Sequence, residues 1–407
     1  MRRHRARHHS MRKSLIISAS KSILRLACLL LALTGGSAWA HDPSSYGGVF
    51  RSRNLGGTWL SADVGLFLNA ALAVAVDPRE PSRLLVGTDL GLLGSRNGGR
   101  SWSPEAPDLI FGAVFAVAFS ADGEQALCAS QSGVFRFAGG RWAPAHAPDA
   151  AIPARAIVAG AANDRIYLLG RSRLFASDDG GQSYVAVPGL PQAREMTALA
   201  VTGTAPEILV AVIDGRVMTS QDGGRAWRDG GLGRDGEGVD TVAPDAYAPD
   251  RIWAASADRI HVSADLGATW RAAGGPLPEP GTKVRGIAAD ASATTLVVTT
   301  QRGTYRSEDG GQTWVLKEDN LPIHLEAGPL ARDPSDPRLI YAVYSLMPYS
   351  EVWRAANEGG NLFARMDPIS LAGGISFFLL VLLGGGFVAF KLAGARTARS
   401  VTPSAPQ

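Results

Sequence analysis

Residues 307–314 read SEDGGQTW, and this short pattern decides the fold because it returns along the chain at a steady interval. Its general form is S-x-D-x-G-x-T/S-W, with Asn replacing Asp in some copies. The aromatic residues that close the copies lie at positions 59, 102, 142, 184, 227, 270 and 314, so the intervals run from 40 to 44 residues. A repeat of about 43 residues is typical of a β-propeller or another array of stacked units.

Six copies of this motif are well kept, and a degenerate copy ends at Arg141 and Trp142. We predict that each forms a tight turn, in which the Ser and Asp side chains bond backbone N–H groups, Gly supplies a positive φ and the aromatic ring packs between sheets. A metal or glycan site built from the aspartates is disfavoured, because one carboxylate in each repeat cannot converge on one ion. The residues assigned this structural role are Ser52, Asn54, Trp59, Ser95, Asn97, Trp102, Ser177, Asp179, Tyr184, Ser220, Asp222, Trp227, Ser263, Asp265, Trp270, Ser307, Asp309 and Trp314.

Two short apolar runs precede the motif in each repeat. In the first complete repeat they are 72–76, LAVAV, and 83–86, RLLV, separated by a turn rich in proline. Equivalent pairs recur near 115–129, 156–169, 197–213, 240–255, 284–300 and 329–344. Seven pairs predict an all-β fold, a seven-bladed β-propeller of four-stranded antiparallel blades. Residues 47–62 supply an extra third and fourth strand, which we expect to close the ring on the last repeat. A doubtful motif copy at 357–360 leaves an eighth blade open.

Both ends of the chain are predicted to meet a membrane. Residues 1–40 carry eight basic and no acidic side chains, a short apolar run and a small-residue end, which predict a secretory signal cleaved after Ala40. Residues 369–390 are 22 in number and uncharged, enough for a helix of about 33 Å. We therefore predict a periplasmic propeller over 41–366, a transmembrane helix over 367–390 and a basic cytoplasmic tail over 391–407. An uncleaved N-terminal anchor and a processed C-terminal sorting tail are the alternatives.

The formal charge of +3 does not describe the exported part of the chain. Residues 41–390 hold 29 basic and 37 acidic side chains, a balance of −8, because much of the positive charge lies in the two ends. The two cysteines exclude a disulfide framework and a zinc site of several thiolates. We find no nucleic-acid signature, phosphate loop or nucleophile–base pair. The sequence predicts neither a metal nor a cofactor.

A set of arginines is the candidate partner-binding surface. Four of them precede the predicted third strands at intervals of 43 residues, and three precede first strands, which share one face of a propeller. Guanidinium groups bind carboxylates and phosphates, so an arc of them would suit acidic protein loops or lipid headgroups. The alternative is compositional, because residues 41–390 contain 27 Arg and only 2 Lys. The arc consists of Arg155, Arg173, Arg194, Arg216, Arg259, Arg285 and Arg302.

Three other residues carry weaker hypotheses. Asp240 and Glu195 lie near the expected channel mouth and could form the carboxylate pair of a glycosidase. Cys128 follows Leu127 in a predicted second strand and is interpreted as a small core residue, with a redox role as the alternative.

The repeated motif is identified as the Asp-box of bacterial neuraminidase repeats. Sialidases share the box, but their early Arg-Ile-Pro motif is absent, since residues 50–54 read FRSRN. Over 47–366 the chain resembles the photosystem II stability and assembly factor family of single seven-bladed propellers. That resemblance implies a non-enzymatic protein that binds a membrane protein complex or its assembly intermediates. The rival is a glycan-binding or sialidase-like glycoside-hydrolase propeller.

Overall fold

The computed structural model describes residues 47–358, except 64–65, 67, 161–163, 190–194, 203–205, 234–235 and 323. The predicted signal segment, the predicted transmembrane helix 367–390 and the basic tail lie outside this range. Within the range, no helix is long and apolar enough to cross a membrane.

Short strands are the main regular elements of the described chain. The first two, β1 (Gly48–Ser52) and β2 (Leu60–Ser61), precede the first complete blade. Blade 1 contains β3 (Ala71–Val76), β4 (Leu84–Thr88), β5 (Leu92–Ser95) and β6 (Ser103–Pro104). Blade 2 contains β7 (Val114–Phe119), β8 (Ala126–Ser130), β9 (Gly133–Ala138) and β10 (Arg141–Pro144). After a 3₁₀ turn at Asp149–Ala151, blade 3 contains β11 (Ala156–Ala159), β12 (Ile166–Leu169), β13 (Leu174–Ser177) and β14 (Val185–Ala186).

The following described residues repeat this pattern, and a helix is the last element described. Blade 4 contains β15 (Met196–Val201), β16 (Leu209–Ile213), β17 (Arg216–Ser220) and β18 (Arg228–Asp229). Blade 5 contains β19 (Val239–Pro244), β20 (Ile252–Ser256), β21 (Arg259–Ser263) and β22 (Arg271–Ala272). Blade 6 contains β23 (Val284–Ala289), β24 (Leu296–Thr300), β25 (Gly303–Ser307) and β26 (Val315–Lys317). The last elements are β27 (Glu326–Arg332), β28 (Ile340–Ser345) and helix α1 (Tyr349–Asn357).

Blade 7 joins the two ends of the described chain. Its strand order is β2-β1-β28-β27, so the N-terminal strand β1 lies antiparallel to β28. The register runs from Gly48 opposite Tyr344 to Ser52 opposite Ile340. First strands of neighbouring blades pack against each other around the whole ring, including β27 against β3. The predicted seven-bladed propeller and its closure by residues 47–62 are therefore confirmed.

The core is divided into one apolar cluster between each pair of neighbouring blades. Between blades 5 and 6, for example, Trp253 and Ile260 pack with Leu296 and Trp314. Six equivalent clusters occupy the other blade junctions of the described structure. Each blade thus buries its two faces against different neighbours, which explains why the strand residues of one blade alternate between two clusters.

The repeated motif forms the same hydrogen-bonded turn in all six well-kept copies. In the last copy, the Ser307 hydroxyl donates to Asp309 Oδ1 at 2.7 Å and accepts the Gly311 N–H at 2.8 Å. Asp309 Oδ1 also accepts the Thr313 N–H at 2.9 Å. The hydroxyl and N–H of Thr313, followed by the Ser307 hydroxyl, lower the pKa of Asp309 to about 2. Gly311 has a φ of +90°, which an L-residue with a Cβ rarely adopts.

Arginines link three motif turns to the blade before them. Arg51 Nη1 donates to the Gly98 carbonyl at 3.1 Å, and Arg136 Nε donates to the Gly180 carbonyl at 2.7 Å. Arg306 Nε donates to the Leu55 carbonyl at 2.9 Å, across the junction of blades 6 and 7. These bonds satisfy motif carbonyls from the neighbouring blade.

The two degenerate motif copies adopt different structures. The copy ending at Trp142 forms a hairpin between β9 and β10, with both turn residues, Gly139 and Gly140, at positive φ. The doubtful copy at 357–360 is not a strand hairpin as far as it is described, because Asn357 ends helix α1. Seven sheets are present in the described structure, and no eighth blade begins there.

Replacing Ser307 with Ala should destabilise the propeller by about 1–3 kcal/mol, since the buried Gly311 N–H loses its acceptor. Urea unfolding followed by tryptophan fluorescence measures this loss. The matched control is Ser172→Ala, an exposed serine in the turn between β12 and β13. Equal free energies of unfolding for the two variants would contradict a stabilising role for the motif hydroxyl.

Candidate functional site

The strand order gives the ring two distinct faces. Antiparallel pairing sets the start of each first strand beside the end of the second strand, as where Ala71 pairs with Thr88. We call the face that carries these strand starts and the turns between second and third strands the mouth face. The repeated motifs follow the ends of third strands, such as Ser95, and lie on the opposite side, the motif face. The sequence predicted this arrangement.

A cavity of about 470 Å³ opens on the mouth face, where the first strands of six blades meet helix α1. Much of its lining arises from β-bulges, because the register shifts near the start of six of the seven first strands. A bulge leaves a residue outside the ladder and redirects its side chain. The bulged residues that line the cavity are Leu72, Phe115, Thr197, Asp240, Arg285, Gly328 and Pro329.

Helix α1 covers the apolar side of this mouth. Its buried side, which includes Trp353, packs against Leu72 of blade 1 and Phe115 of blade 2. The Phe115 ring meets Trp353 edge-on with centroids 4.9 Å apart, and Tyr349 stacks parallel to Trp353 at 6.2 Å. The polar bulge residues of blades 4 to 6 remain in the cavity wall.

Arg285 connects the start of α1 to the channel wall. Its Nη2 lies 2.6 Å from Glu326 Oε1, and its guanidinium stands 5.4 Å from the ring centroid of Tyr349. The Tyr349 N–H donates to Glu326 Oε2 at 2.9 Å, so the carboxylate binds both the cation and the first residue of the helix. Burial raises the pKa of Tyr349 to about 12, against the opposing influence of Arg155 and Arg285.

Arg155 makes the equivalent connection further along the helix. Its guanidinium stands 4.5 Å from the ring centroid of Trp353, a cation–π contact. Its Nη2 also donates to Glu195 Oε1 at 3.0 Å. The two arginines of the predicted arc that lie in the cavity wall thus bind parts of this chain.

Asp240 and Glu195 line the same cavity but in different environments. Burial raises the pKa of Asp240, although the Val284 N–H donates to Asp240 Oδ2 at 3.3 Å and Lys283 favours the ionised form. The Glu195 side chain is 62% exposed and is paired with Arg155. Asp240 is half-buried and Glu195 is solvated, so the two carboxyl groups of this cavity differ in environment.

The remaining arginines of the arc lie around the mouth. Arg216 and Arg259 are exposed and begin the third strands of blades 4 and 5. Arg302 is paired with Glu279 at 2.9 Å, and Arg173 is half-buried in the equivalent turn of blade 3. Arg194 lies outside the described residues.

Acidic side chains are interleaved with these arginines. Asp214 and Asp258 lie in the turns that precede Arg216 and Arg259, and Glu237 lies at the approach to β19. Asp214 Oδ1 accepts the Glu195 N–H at 2.9 Å. The arc is therefore a surface of alternating charge, where the sequence indicated a basic one.

The described part of the chain indicates neither metal chemistry nor thiol chemistry. Cys128 is buried between blades 1 and 2, and burial, with a smaller contribution from Glu105, raises the pKa of its thiol. A thiol buried in apolar surroundings is unreactive, which favours the structural interpretation. Within the described residues, no group of three or more His, Cys, Asp and Glu side chains could hold a metal ion.

Comparison with known proteins establishes similarity of fold. No protein-family model and no curated protein matches the sequence. A solved structure of YCF48 bound to a D1 peptide is 18% identical and has a TM-score of 0.52, with 69% of this chain and 94% of that chain covered. YCF48 from Cyanidioschyzon merolae is 14% identical with a TM-score of 0.51, covering 69% of this chain and 97% of that one.

A glycoside hydrolase has the same level of similarity. The GH74 xyloglucanase from Xanthomonas campestris is 18% identical with a TM-score of 0.51, covering 68% of this chain and 53% of that one. At such identities the likeness concerns the propeller alone. A shared propeller fold does not distinguish binding from hydrolysis.

Replacing Trp353 with Ala should release α1 from the mouth, because truncating a buried Trp costs about 3 kcal/mol or more and a nine-residue helix is not stable by itself. Amide hydrogen exchange in α1 should accelerate, up to roughly 100-fold, while exchange in β19 to β24 stays unchanged. Arg354→Ala, at an exposed position of the same helix, is the control. Unchanged exchange in α1 of the Trp353→Ala variant would show that these contacts do not hold the helix.

Proposed function

We propose that this protein is a non-enzymatic, membrane-anchored periplasmic propeller whose mouth face binds a segment of a membrane protein complex or of its assembly intermediates. Export through residues 1–40 and anchorage by 367–390, with the tail 391–407 in the cytoplasm, are parts of the same proposal. The observation that carries it is the mouth cavity, in which charged groups of both signs surround an opening at the end of the propeller channel.

The exposed cations at the mouth suit acidic groups of a partner. Arg216 and Arg259 project from neighbouring blades, and Lys283 is exposed at the cavity wall. A guanidinium binds a carboxylate with two parallel hydrogen bonds, which favours a partner loop that carries acidic side chains. Asp240 and Glu195 lie in the same cavity and would select against a uniformly acidic segment. The surface therefore favours a partner segment of mixed charge.

The fold comparisons support a peptide as the bound group. YCF48 has been solved with a D1 peptide bound, so a propeller of similar architecture accepts a peptide. The chain resembles an assembly factor family in its repeats, and helix α1, the last described element, lies on the mouth face. An anchor that follows α1 would keep that face near membrane proteins.

Replacing both Arg216 and Arg259 with Ala should weaken capture of the partner from detergent-solubilised membranes. Two exposed cations would be lost from the binding face, while the midpoint of thermal unfolding should change little because neither side chain is buried. The matched control is the pair Arg228→Ala and Arg271→Ala, exposed arginines on the outer strands of the same two blades. Capture that is unaffected by the first pair, or equally reduced by both pairs, would contradict the proposed surface.

A glycan-active propeller is the second candidate, and one observation favours it. Asp240, with its raised pKa, and Glu195 line the same cavity, as an acid and a carboxylate do in glycosidases. The aromatic side chains are less suited to sugars, because Trp353 is buried and Arg155 stands over its ring. Hydrolysis of β-glucan or sialoside oligosaccharides that is lost in Asp240→Asn would establish this candidate and refute the first.

A further inference from the structure

Three exposed apolar side chains form an apolar patch, defined here as Leu90, Phe111 and Leu346. Their exposed fractions are 75%, 59% and 54%. Phe111 is bridged to Gly91, the residue after Leu90. The Leu346 N–H donates to the carbonyl of Asn69, whose amide donates to Asp89 Oδ2 at 2.9 Å, beside Leu90. The three side chains therefore occupy one connected part of the surface.

The apolar patch lies on the mouth face beside the seat of helix α1. Leu90 is in the turn between β4 and β5, Phe111 precedes β7, and Leu346 follows β28. Helix α1 packs on Ala70 and Ala113, and the Ala70 carbonyl accepts the Asp89 N–H. The patch thus belongs to blades 7, 1 and 2, whereas the exposed arginines of the proposed binding surface belong to blades 4 and 5.

Other exposed apolar residues do not share this position. Leu60, Val185 and Val315 lie singly on fourth strands, at the outer edges of blades 7, 3 and 6. Isolated apolar residues are normal on protein surfaces, whereas a group of exposed apolar residues at one site indicates a surface that binds something. In the described structure, the exposed apolar residues that lie close together are on the mouth face.

We propose that the apolar patch rests in the headgroup region of the lipid bilayer and tilts the propeller, so that the arginines of blades 4 and 5 stay open to a partner. The inference rests on the anchorage proposed above. Ten residues separate Glu358 from the uncharged run that begins at Ile369, and an extended chain of that length reaches at most about 36 Å. Because α1 ends on the mouth face, a tether this short favours contact of that face with the bilayer.

The small size of the apolar patch also favours lipid over a second protein. A stable protein interface buries about 800 Å² on each partner, which three side chains do not supply. A tethered surface needs far less affinity, because the tether turns contact with the bilayer into an intramolecular event of high effective concentration. Leu and Phe side chains are suited to the interface between headgroups and acyl chains.

The test is fluorescence of labelled variants of the full chain in lipid nanodiscs, each with one exposed cysteine. Leu90→Cys and Phe111→Cys, in a Cys28→Ser background, are labelled with an environment-sensitive dye. The nanodiscs contain phosphatidylethanolamine, phosphatidylglycerol and a nitroxide-bearing lipid. Cys128 is buried with a raised thiol pKa and should stay unlabelled. The matched controls are Val185→Cys and Val315→Cys at the outer edges of blades 3 and 6.

The inference predicts blue-shifted emission and nitroxide quenching at positions 90 and 111, and neither at 185 and 315. Equal quenching at all four positions, or none, would overturn it. A blue shift at 90 and 111 without nitroxide quenching would also overturn it, since a second copy or another protein would then cover the apolar patch. Urea-resistant flotation with liposomes reports the anchorage separately. If the protein floats with the liposomes but the apolar patch is not quenched, this inference alone is refuted. If the protein does not float, the anchorage and the inference are both refuted.

Discussion

Ring closure through the pairing of β1 with β28 is the constraint on which the rest of the structure depends. A four-stranded blade has two apolar faces, and it can bury both only when it has a neighbour on each side. The interblade clusters include one between blades 6 and 7 and one between blades 7 and 1, and both contain residues from β1 or β28. Without β1, blade 7 would be a two-stranded hairpin with an open edge, and its two interfaces would lose Phe50 and Val49, the residues that β1 supplies.

The same constraint bears on the helix that ends the described part of the chain at the mouth. Strands β1 and β2 already occupy the third and fourth places of blade 7, so the chain that follows β28 has no free strand edge there to pair with. It instead forms α1, whose apolar side covers Leu72 and Phe115. The cavity that remains has both polar and apolar residues in its wall, part of which is formed by the bulges of blades 4 to 7. Closure of the ring therefore determines the form of the candidate site.

The repeat made much of the fold predictable. Seven spaced aromatics and seven strand pairs gave the blade number, and the unpaired N-terminal motif gave the closure, because both follow from periodicity alone. The motif-like run at 357–360 was less informative, because it follows β28 and could have belonged to an eighth blade. The apolar positions Tyr349, Val352, Trp353 and Ala356 have helical spacing, which is the sequence pattern that could have identified α1.

The candidate site was predictable only in part. Topology placed Asp240, Glu195 and the arginines on one face, as the structure has them, except for Arg194 outside the described residues. It could not show that Arg155 and Arg285 contact Trp353 and Tyr349, because those contacts depend on a helix that the repeat does not encode. Topology also could not locate the bulges. A bulge shifts the inward–outward alternation of a strand by one residue without altering the composition of that strand.

Site-specific photocrosslinking in intact membranes is the most direct test of whether partners bind at the mouth face. A photoreactive amino acid at Ser172 or Glu237, exposed beside the mouth arginines, should capture one and the same membrane protein. The same group at Gln182 or Gln312, exposed in motif turns on the opposite face, should not capture it. Capture of that protein from the motif face, with none from the mouth face, would contradict the account.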